Sequence, residues 1–184
     1  MNGLDDAALV KQAQNGDVTA VGKLYNQHQP HIYRYVWARV GRDRTAEDLT
    51  GEVFVRMLAN LPNFRSSGPP FRAWLYRIAH NLIVDHYRKQ NGRESAPIFL
   101  AERMSQRKND PDTIVERKLD SERIIEALAK IDPNQREVVV LRFIVGLRLK
   151  EVAHALDKSV GAVKSLQHRG LASLRVALKQ EAIL

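Results

Sequence analysis

The segment of residues 71–89, FRAWLYRIAHNLIVDHYRK, repeats apolar residues every three or four positions, and this spacing strongly restricts what the chain can fold into. At 100° per residue, one side of the resulting helix carries Phe71, Leu75, Ile78 and Leu82, with Trp74 at its edge. A stripe of this kind faces a hydrophobic core. The segment therefore predicts a long amphipathic α-helix.

The opposite side of this helix is aromatic and basic. It carries Tyr76, His80, Ile83 and Tyr87, flanked by Arg72, with Arg77 and Arg88 on a third edge. Aromatic rings stack on unpaired bases and neighbouring cations follow phosphates, so this face suits single-stranded nucleic acid. Packing against another helix explains the same pattern equally well, and the spacing alone does not choose between the two interpretations.

Helical periodicity recurs on both sides of one long interruption. Residues 90–112 lose all periodicity apart from an apolar island at 98–100, and a segment of this length is unusual inside one compact domain. We therefore predict an all-α protein of two small helical domains, residues 1–90 and 117–184, joined by a flexible linker at 91–116. No strand pattern is found, and the β-branched run at 138–140 lies within helical periodicity.

Local signals predict where the helices of the first half begin and end. Asn-Gly-Asp at 15–17 indicates a break, Pro30 a restart of the chain and Gly41 a helix end. Thr45 is expected to cap the next helix, and Pro62 to end it. The loop at 63–70, NFRSSGPP, then leads into the helix of residues 71–89.

The helix expected after Thr45 has a buried seam and an acidic exterior. The seam is predicted to contain Leu49, Val53, Met57 and Leu61. Glu47, Asp48 and Glu52 fall on other faces, with Phe54 beside them toward solvent. The acids form either an ordinary solvated face or a docking surface for a basic partner.

The second half contains a helix-turn-helix pattern. Asp132 and Pro133 read as N-cap and first position of a helix that Gly146 closes. A short helix over 149–156 follows, then a tight turn at Asp157-Lys158. Ser159 is expected to cap a second helix from Val160 to about Leu178.

The two faces of that second helix differ in character. The inner face is predicted to hold Val163, Leu166, Gly170, Leu171 and Leu174. The outer face carries Lys164, Ser165, His168, Arg175 and Lys179, with Arg169 at the flank. The basic outer face favours DNA recognition over a plain helical hairpin.

Charge and composition limit the remaining possibilities. The net charge of +8 is concentrated in residues 61–95 and 133–184, at +4 and +5, which indicates two contacts with a polyanion or with an acidic protein. With no Cys, no signal-peptide pattern and no apolar run long enough to span a membrane, we expect a cytoplasmic protein. No catalytic, metal or phosphate-loop motif is recognisable, so we expect neither an enzyme nor a bound cofactor.

Four motifs together resemble the extracytoplasmic-function (ECF) sigma factors, bacterial transcription initiation factors that contain only regions 2 and 4. They are AEDLTGEVFVRML (46–58), FRAWLYRIAHNLIVDHYRK (71–89), REVVVLRFIVGL (136–147) and EVAHALDKSVGAVKSLQHRGLASLR (151–175). They follow the family's order and spacing. The resemblance implies a protein that binds core RNA polymerase, recognises the −35 and −10 promoter elements and opens the DNA.

The resemblance also implies roles for individual residues. Contact with the coiled coil of the polymerase β′ subunit is expected at Asp48, Leu49, Glu52 and Phe54. Contact with the opened −10 element is expected at Phe64, Arg65, Ser66, Arg72, Tyr76, Arg77, His80, Asn81, Arg88 and Lys89. Contact with the −35 duplex is expected at Lys158, Ser159, Lys164, Ser165, His168, Arg169 and Arg175. The family also implies contact with the polymerase β flap and, commonly, an anti-sigma factor.

Two departures from the family pattern affect promoter specificity. Leu166 and Gln167 stand in V-K-S-L-Q-H-R where many members have V-K-S-R-L-H-R, so a frequent basic contact is absent. The loop at 65–70 is rich in Pro, so an individual −10 base preference does not transfer. A free-standing DNA-binding regulator is the other reading of the second half, but it would not need an acidic docking helix with a base-capturing face.

Overall fold

The computed structural model describes residues 3–40, 42–65, 67–91, 123–124 and 126–181, and these residues form helices and turns without strands. The all-α prediction is confirmed. Residues 92–116 of the linker predicted at 91–116, with the apolar island at 98–100, lie outside the described residues, as does Gly41. None of the described helices has an apolar stretch long enough for a membrane span.

The first unit is a bundle of four helices with one 3₁₀ turn. The elements are α1 (Gly3–Gln14), α2 (Val18–Val40), α3 (Asp43–Asn60), the 3₁₀ turn Leu61–Asn63 and α4 (Phe71–Asn91). Gly16 adopts φ 90° between α1 and α2, so the break predicted at 15–17 is confirmed. The predicted end of α3 at Pro62 is also confirmed, since Pro62 lies in the 3₁₀ turn.

Two predicted boundaries in this unit are wrong. Pro30 lies inside α2, which continues to Val40. Buried residues on both sides of it, among them His28 and Ile32, hold the helix together despite the missing N–H. Thr45 is not a cap because α3 already begins at Asp43, whose carboxylate accepts hydrogen bonds from two side chains of α2.

The core of the first unit lies where the sequence places it. Phe71, Leu75 and Leu82 of α4 and Val53 and Met57 of α3 are all buried in the same hydrophobic cluster. Both apolar seams are confirmed in these residues. At about 25 cal/mol per Å² of apolar surface removed from water, this burial is the main stabilising contribution to the bundle.

The second unit contains the predicted helix-turn-helix. Its elements are a helical stretch at 126–130, α5 (Pro133–Val139), a π-helical turn at Val140–Ile144, α6 (Leu149–Ala155) and α7 (Val160–Glu181). The Asp132 carboxylate accepts hydrogen bonds from the backbone N–H groups of Asn134 and Gln135 at 3.0 and 3.1 Å. Gly146 closes the π turn with φ 78°. Both predictions are confirmed.

The turn between α6 and α7 is built as expected. Asp157 occupies the left-handed region with φ 53°, and the Ser159 hydroxyl accepts a hydrogen bond from the Ala162 N–H at 3.1 Å. Further along α7, Gly170 lies directly against α5. A Cβ at this position would lie 2.9 Å from Val139 Cγ2 and 3.2 Å from the Gln135 carbonyl oxygen. The missing side chain therefore allows the two helices to approach closely.

Candidate nucleic-acid interface

The outer face of α7 is open to solvent and basic. Lys164, Ser165, His168, Arg169 and Arg175 are all exposed, while Val163 on the opposite side is fully buried. A groove beside this face is lined by Arg142, Leu149, Lys164, Ser165, Gln167, His168 and Arg169. The structure thus presents cations, an amide, a hydroxyl and an imidazole along one face, which suits contact with phosphates and base edges.

The start of α7 adds two more of the expected residues. Lys158 and Ser159 are exposed and line a second groove that also includes Ser165 and Arg169. Leu166 is half-buried against the core, as predicted. Leu171 was predicted on the inner face of this helix, and that prediction is wrong because the residue is 41% exposed.

The face of α4 opposite the bundle core is covered, so the prediction of an exposed aromatic surface is wrong. Tyr76, Ile83 and Tyr87 are only 5%, 2% and 9% exposed. The Tyr76 ring meets that of Tyr35 edge to face at 5.2 Å between centroids. Burial raises the pKa of Tyr76 to about 12, with Arg72 acting in the opposite direction. These rings are packed between helices, which is the alternative that the sequence left open.

Polar residues of α4 are engaged by the second unit. Arg72 Nη2 donates a hydrogen bond to the Val145 carbonyl oxygen at 3.2 Å. Arg77 Nη2 lies 3.0 Å from a carboxylate oxygen of Asp157, in the turn before α7. Further along α4, Asn81, Arg88 and Lys89 are exposed. The expected −10 residues therefore divide into a covered group and an exposed group.

Glu137 of α5 is the centre of the contact between the two units. Its carboxylate accepts a hydrogen bond from the Tyr35 hydroxyl at 2.5 Å, and its other oxygen lies 2.8 Å from Arg39 Nη2. His80 Nδ1 lies 3.7 Å from the carboxylate. Arg39 itself is 1% exposed. A largely buried acid of one unit, with 16% of its side chain exposed, thus neutralises a fully buried cation of the other.

The pKa shifts in this cluster follow from burial and charge. Burial alone would raise the pKa of Glu137, but Arg39 and His80 outweigh it and hold that pKa well below its usual range. Burial, and then Glu137, raises the pKa of the Tyr35 hydroxyl. Glu137 is therefore a carboxylate, and Tyr35 a hydrogen-bond donor, at neutral pH.

An aromatic groove of about 280 Å³ lies on the other side of α4, where α3, the 3₁₀ turn and α4 meet. It is lined by Arg56, Asn60, Asn63, Phe64, Trp74, Ile78 and Asn81. Phe64 and Trp74 form its aromatic part, with ring centroids 4.9 Å apart. The volume is below the roughly 300–1,000 Å³ of pockets for drug-sized ligands, so the groove suits one flat ring.

The family resemblance predicted Phe64 and Asn81 at the −10 site, but it did not predict the other members of this groove. Trp74 was predicted at the edge of the core-facing stripe, and Arg56 and Asn60 were given no role. The amides at 60, 63 and 81, close to an aromatic loop residue, were the available signal. Arg65 is exposed beside the groove, and Ser66 lies outside the described residues.

The acidic face of α3 is partly as predicted. Asp48 is exposed, and Glu52 forms an ion pair with Arg56 at 2.8 Å. Leu49 is half-buried. The expected solvent-facing position of Phe54 is wrong, because this ring is 4% exposed and packs on Tyr25 with centroids 4.7 Å apart.

The exposed apolar side chains on this part of α3 are other than Phe54. Val55 is 60% exposed and Leu58 is 47% exposed. At helical spacing, Val55 lies three residues after Glu52 and seven after Asp48, on the same face. The face is therefore mixed acidic and apolar, as protein docking surfaces commonly are.

Comparison with known proteins identifies the two units. The sequence matches the family description "Sigma-70 region 2" over residues 24–93 and "Sigma-70, region 4" over residues 127–176. It is 34% identical to the ECF RNA polymerase sigma factor ShbA of Streptomyces griseus over 181 residues, which cover 94% of this chain and 95% of that protein. This chain belongs to the ECF sigma factors.

A second relative and a solved structure agree with this membership. The sigma factor is 37% identical to the ECF RNA polymerase sigma factor BldN of Streptomyces coelicolor over 174 residues, and the match spans 95% of this chain and 66% of that protein. The structure of CnrH in complex with the cytosolic domain of CnrY is similar, with TM-score 0.69 and 29% identity, covering 96% of this chain and 98% of that one. The bundle of α1–α4 therefore contains region 2, and α5–α7 contain region 4.

Proposed function

We propose that this sigma factor uses α7 to bind the −35 element, the aromatic groove to hold an unstacked −10 base, and the acidic face of α3 to bind core RNA polymerase. We assign polymerase docking and −10 opening to residues 1–90 and −35 recognition to residues 117–184, with a linker at 91–116. It includes a cytoplasmic location and no catalytic activity of the chain itself. The observation that carries it is the exposed basic face of α7, the second helix of a helix-turn-helix.

Recognition of the −35 duplex follows from the chemistry of that face. A helix of this kind lies in the major groove, where base edges offer distinct donor and acceptor patterns. Ser165 and His168, at the centre of the face, are our base-edge candidates. Lys164, Arg169 and Arg175 are our phosphate contacts, each contributing about one counterion to the salt dependence.

Opening of the −10 element needs a site for a base that has left the stack. The groove beside Phe64 and Trp74 supports this role because it combines ring faces with the amides of Asn63 and Asn81 and the guanidinium of Arg56. Stacking on an aromatic side chain contributes about 1–3 kcal/mol per base. The binding site for the unstacked base is therefore assigned to the open side of α4 and not to the buried Tyr76.

Arg77 and His80 have partners in the second unit, so their contact with DNA requires the two units to separate. Tyr76 is packed on Tyr35 of its own unit, and separation would leave that contact in place. Tyr76, Arg77 and His80 all lie against other residues in the closed arrangement. Arg88 and Lys89 are exposed in that arrangement and need no such change. We therefore assign phosphate contacts near the −10 element to Arg88 and Lys89 first.

Polymerase docking is supported by the mixed face of α3. Exposed Asp48 and Glu52 suit a basic partner surface, and the neighbouring Val55 and Leu58 supply apolar area to bury. The β′ coiled coil is the proposed partner for this face, and the β flap for region 4. The complex of CnrH with the cytosolic domain of CnrY supports a protein regulator, an anti-sigma factor, for this chain as well.

The decisive experiment is run-off transcription with core polymerase over a library of promoters. We expect initiation to depend on this protein and to select a −35 and a −10 motif, while Asp48→Arg reduces co-purification with polymerase without changing thermal stability. Transcription that remains independent of the protein, together with operator binding by the chain alone, would instead establish the free-standing regulator.

A further inference from the structure

The C-terminal end of α1 contacts the turn that carries Phe64. Gln14, the last residue of α1, donates hydrogen bonds from Nε2 to the carbonyl oxygens of Leu61 at 2.9 Å and of Phe64 at 2.7 Å. These carbonyls belong to the two ends of one turn, because the Phe64 N–H donates to the Leu61 oxygen at 3.1 Å. A single amide thus ties both ends of the turn to α1.

The tied turn forms one wall of the aromatic groove. Phe64 faces Trp74 there, and Asn63 lines the groove beside it. Pro62, Asn63 and Arg65 are exposed, while Leu61 is buried and the Phe64 ring packs on Phe71 and Trp74. The side chains of Leu61 and Phe64 anchor the two ends of the turn, and the hydrogen bonds from Gln14 fix the backbone carbonyls of the same two residues.

Gln14 lies outside the part of the chain that matches region 2, which begins at residue 24. Its backbone is nevertheless well anchored. Val10 and Ala13 of α1 are buried, and Gly16 with φ 90° ends the helix. Replacement of the exposed Gln14 side chain should consequently leave the bundle folded.

We propose that Gln14 is a positioning residue for promoter opening, which holds Phe64 and Asn63 in place to receive an unstacked base. This inference rests on the proposed function of the groove. When the turn is already ordered, base binding does not have to offset the conformational entropy lost on ordering it. Loss of both hydrogen bonds should therefore weaken single-strand capture by roughly 3- to 10-fold. This is the effect of one bond of ordinary net strength, because water replaces part of the loss at this exposed side chain.

The test compares variants of Gln14 that keep or lose a hydrogen-bond donor. Gln14→Glu keeps the shape but places carboxylate oxygens against the two carbonyls, whereas Gln14→Lys keeps a donor. Gln12→Glu and Gln12→Lys, at an exposed position of the same helix, control for charge. Each variant is assembled with core polymerase, and its affinity is measured for a single-stranded −10 oligonucleotide and for a −35 duplex.

We expect Gln14→Glu to bind the −10 single strand about 3- to 10-fold more weakly. Gln14→Lys and both Gln12 variants should stay within about 2-fold of wild type, and −35 binding and melting temperature should not change. Normal −10 binding by Gln14→Glu would overturn the proposal, as would an equal loss on the −35 duplex. If Phe64→Ala also leaves −10 binding unchanged, the groove itself is wrong; if only Phe64→Ala weakens it, the role of Gln14 alone is wrong.

Discussion

Two helices of this sigma factor have similar basic sequence patterns, but the patterned face is exposed in one helix and covered in the other. The outer face of α7 is open, with Lys164, His168 and Arg175 exposed. The face of α4 that carries Tyr76 and His80 is closed by other helices, including those of region 4. Helical periodicity therefore identifies a second face but does not say whether water, another helix or a ligand covers it.

The apolar content of the two faces explains the difference. The α4 face includes Tyr76, Ile83 and Tyr87, whose rings and branched chain lose more by exposure to water than the polar residues of α7. Closure of that face also gives a partner to Arg39, which Glu137 neutralises from the second unit. Aromatic residues on a second helical face are thus better evidence for helix packing than for base stacking.

Removal of the buried acid should have the largest effect on stability. Glu137→Leu leaves Arg39 buried without its counter-charge, so we expect a loss of about 3–5 kcal/mol in the free energy of unfolding, measured by urea denaturation. Arg39→Met together with Glu137→Leu should recover most of it. The exposed pair gives the matched control, since Glu52→Leu should cost only about 0.2–1 kcal/mol. Equal losses at the two sites would contradict the buried interface.

The same carboxylate should make stability depend on pH. The folded-state pKa of Glu137 lies below its ordinary value of 4.5, so its contribution is present above that pH and is lost as the pH falls through the folded pKa. The difference in unfolding free energy between wild type and Glu137→Gln should therefore be constant from neutral pH to about pH 5 and shrink in acid. A difference that grows on acidification would contradict this assignment.

A smaller effect is expected where α5 and α7 touch. Gly170→Ala adds a methyl group 2.9 Å from Val139 Cγ2, and the nearby Gln135 carbonyl belongs to rigid backbone. Overpacking of this kind costs about 1–3 kcal/mol, which exceeds the roughly 1 kcal/mol that Ala gains over Gly in a helix. We expect net destabilisation by thermal melting. Gly161→Ala on the same helix, where the nearest atom is 4.0 Å away, should be neutral or stabilising.

The smallest effect concerns the open face itself. Lys164→Ala in the holoenzyme should weaken −35 binding and lower the salt slope by about 0.9, the value for one phosphate contact. Arg77→Ala, which removes a cation of the covered face paired with Asp157, should leave that slope unchanged. Equal slopes for Lys164→Ala and wild type, measured by titration at several salt concentrations, would show that Lys164 is not a phosphate contact.

Local chemistry in the sequence was sufficient for the helices, most of their ends and the recognition helix. The Asp132 and Ser159 caps, and the turns at Gly16 and Gly146, depend on hydrogen bonds and backbone conformations within a few residues. The exposed cations of α7 were predictable because the opposite side of the helix contains its apolar stripe. These features need no knowledge of distant parts of the chain.

Only the tertiary structure decided which faces are covered and which boundaries hold. Pro30 stays inside α2 because buried neighbours outweigh its missing hydrogen bond. The next helix starts at Asp43, whose carboxylate accepts hydrogen bonds from side chains of α2. Phe54 and Tyr76 are buried by contacts with rings of another helix. These contacts, and the hydrogen bonds from Gln14 to the turn, join residues that are 29 to 50 positions apart in the sequence. Such contacts depend on where the chain returns in space, which periodicity along one helix does not contain.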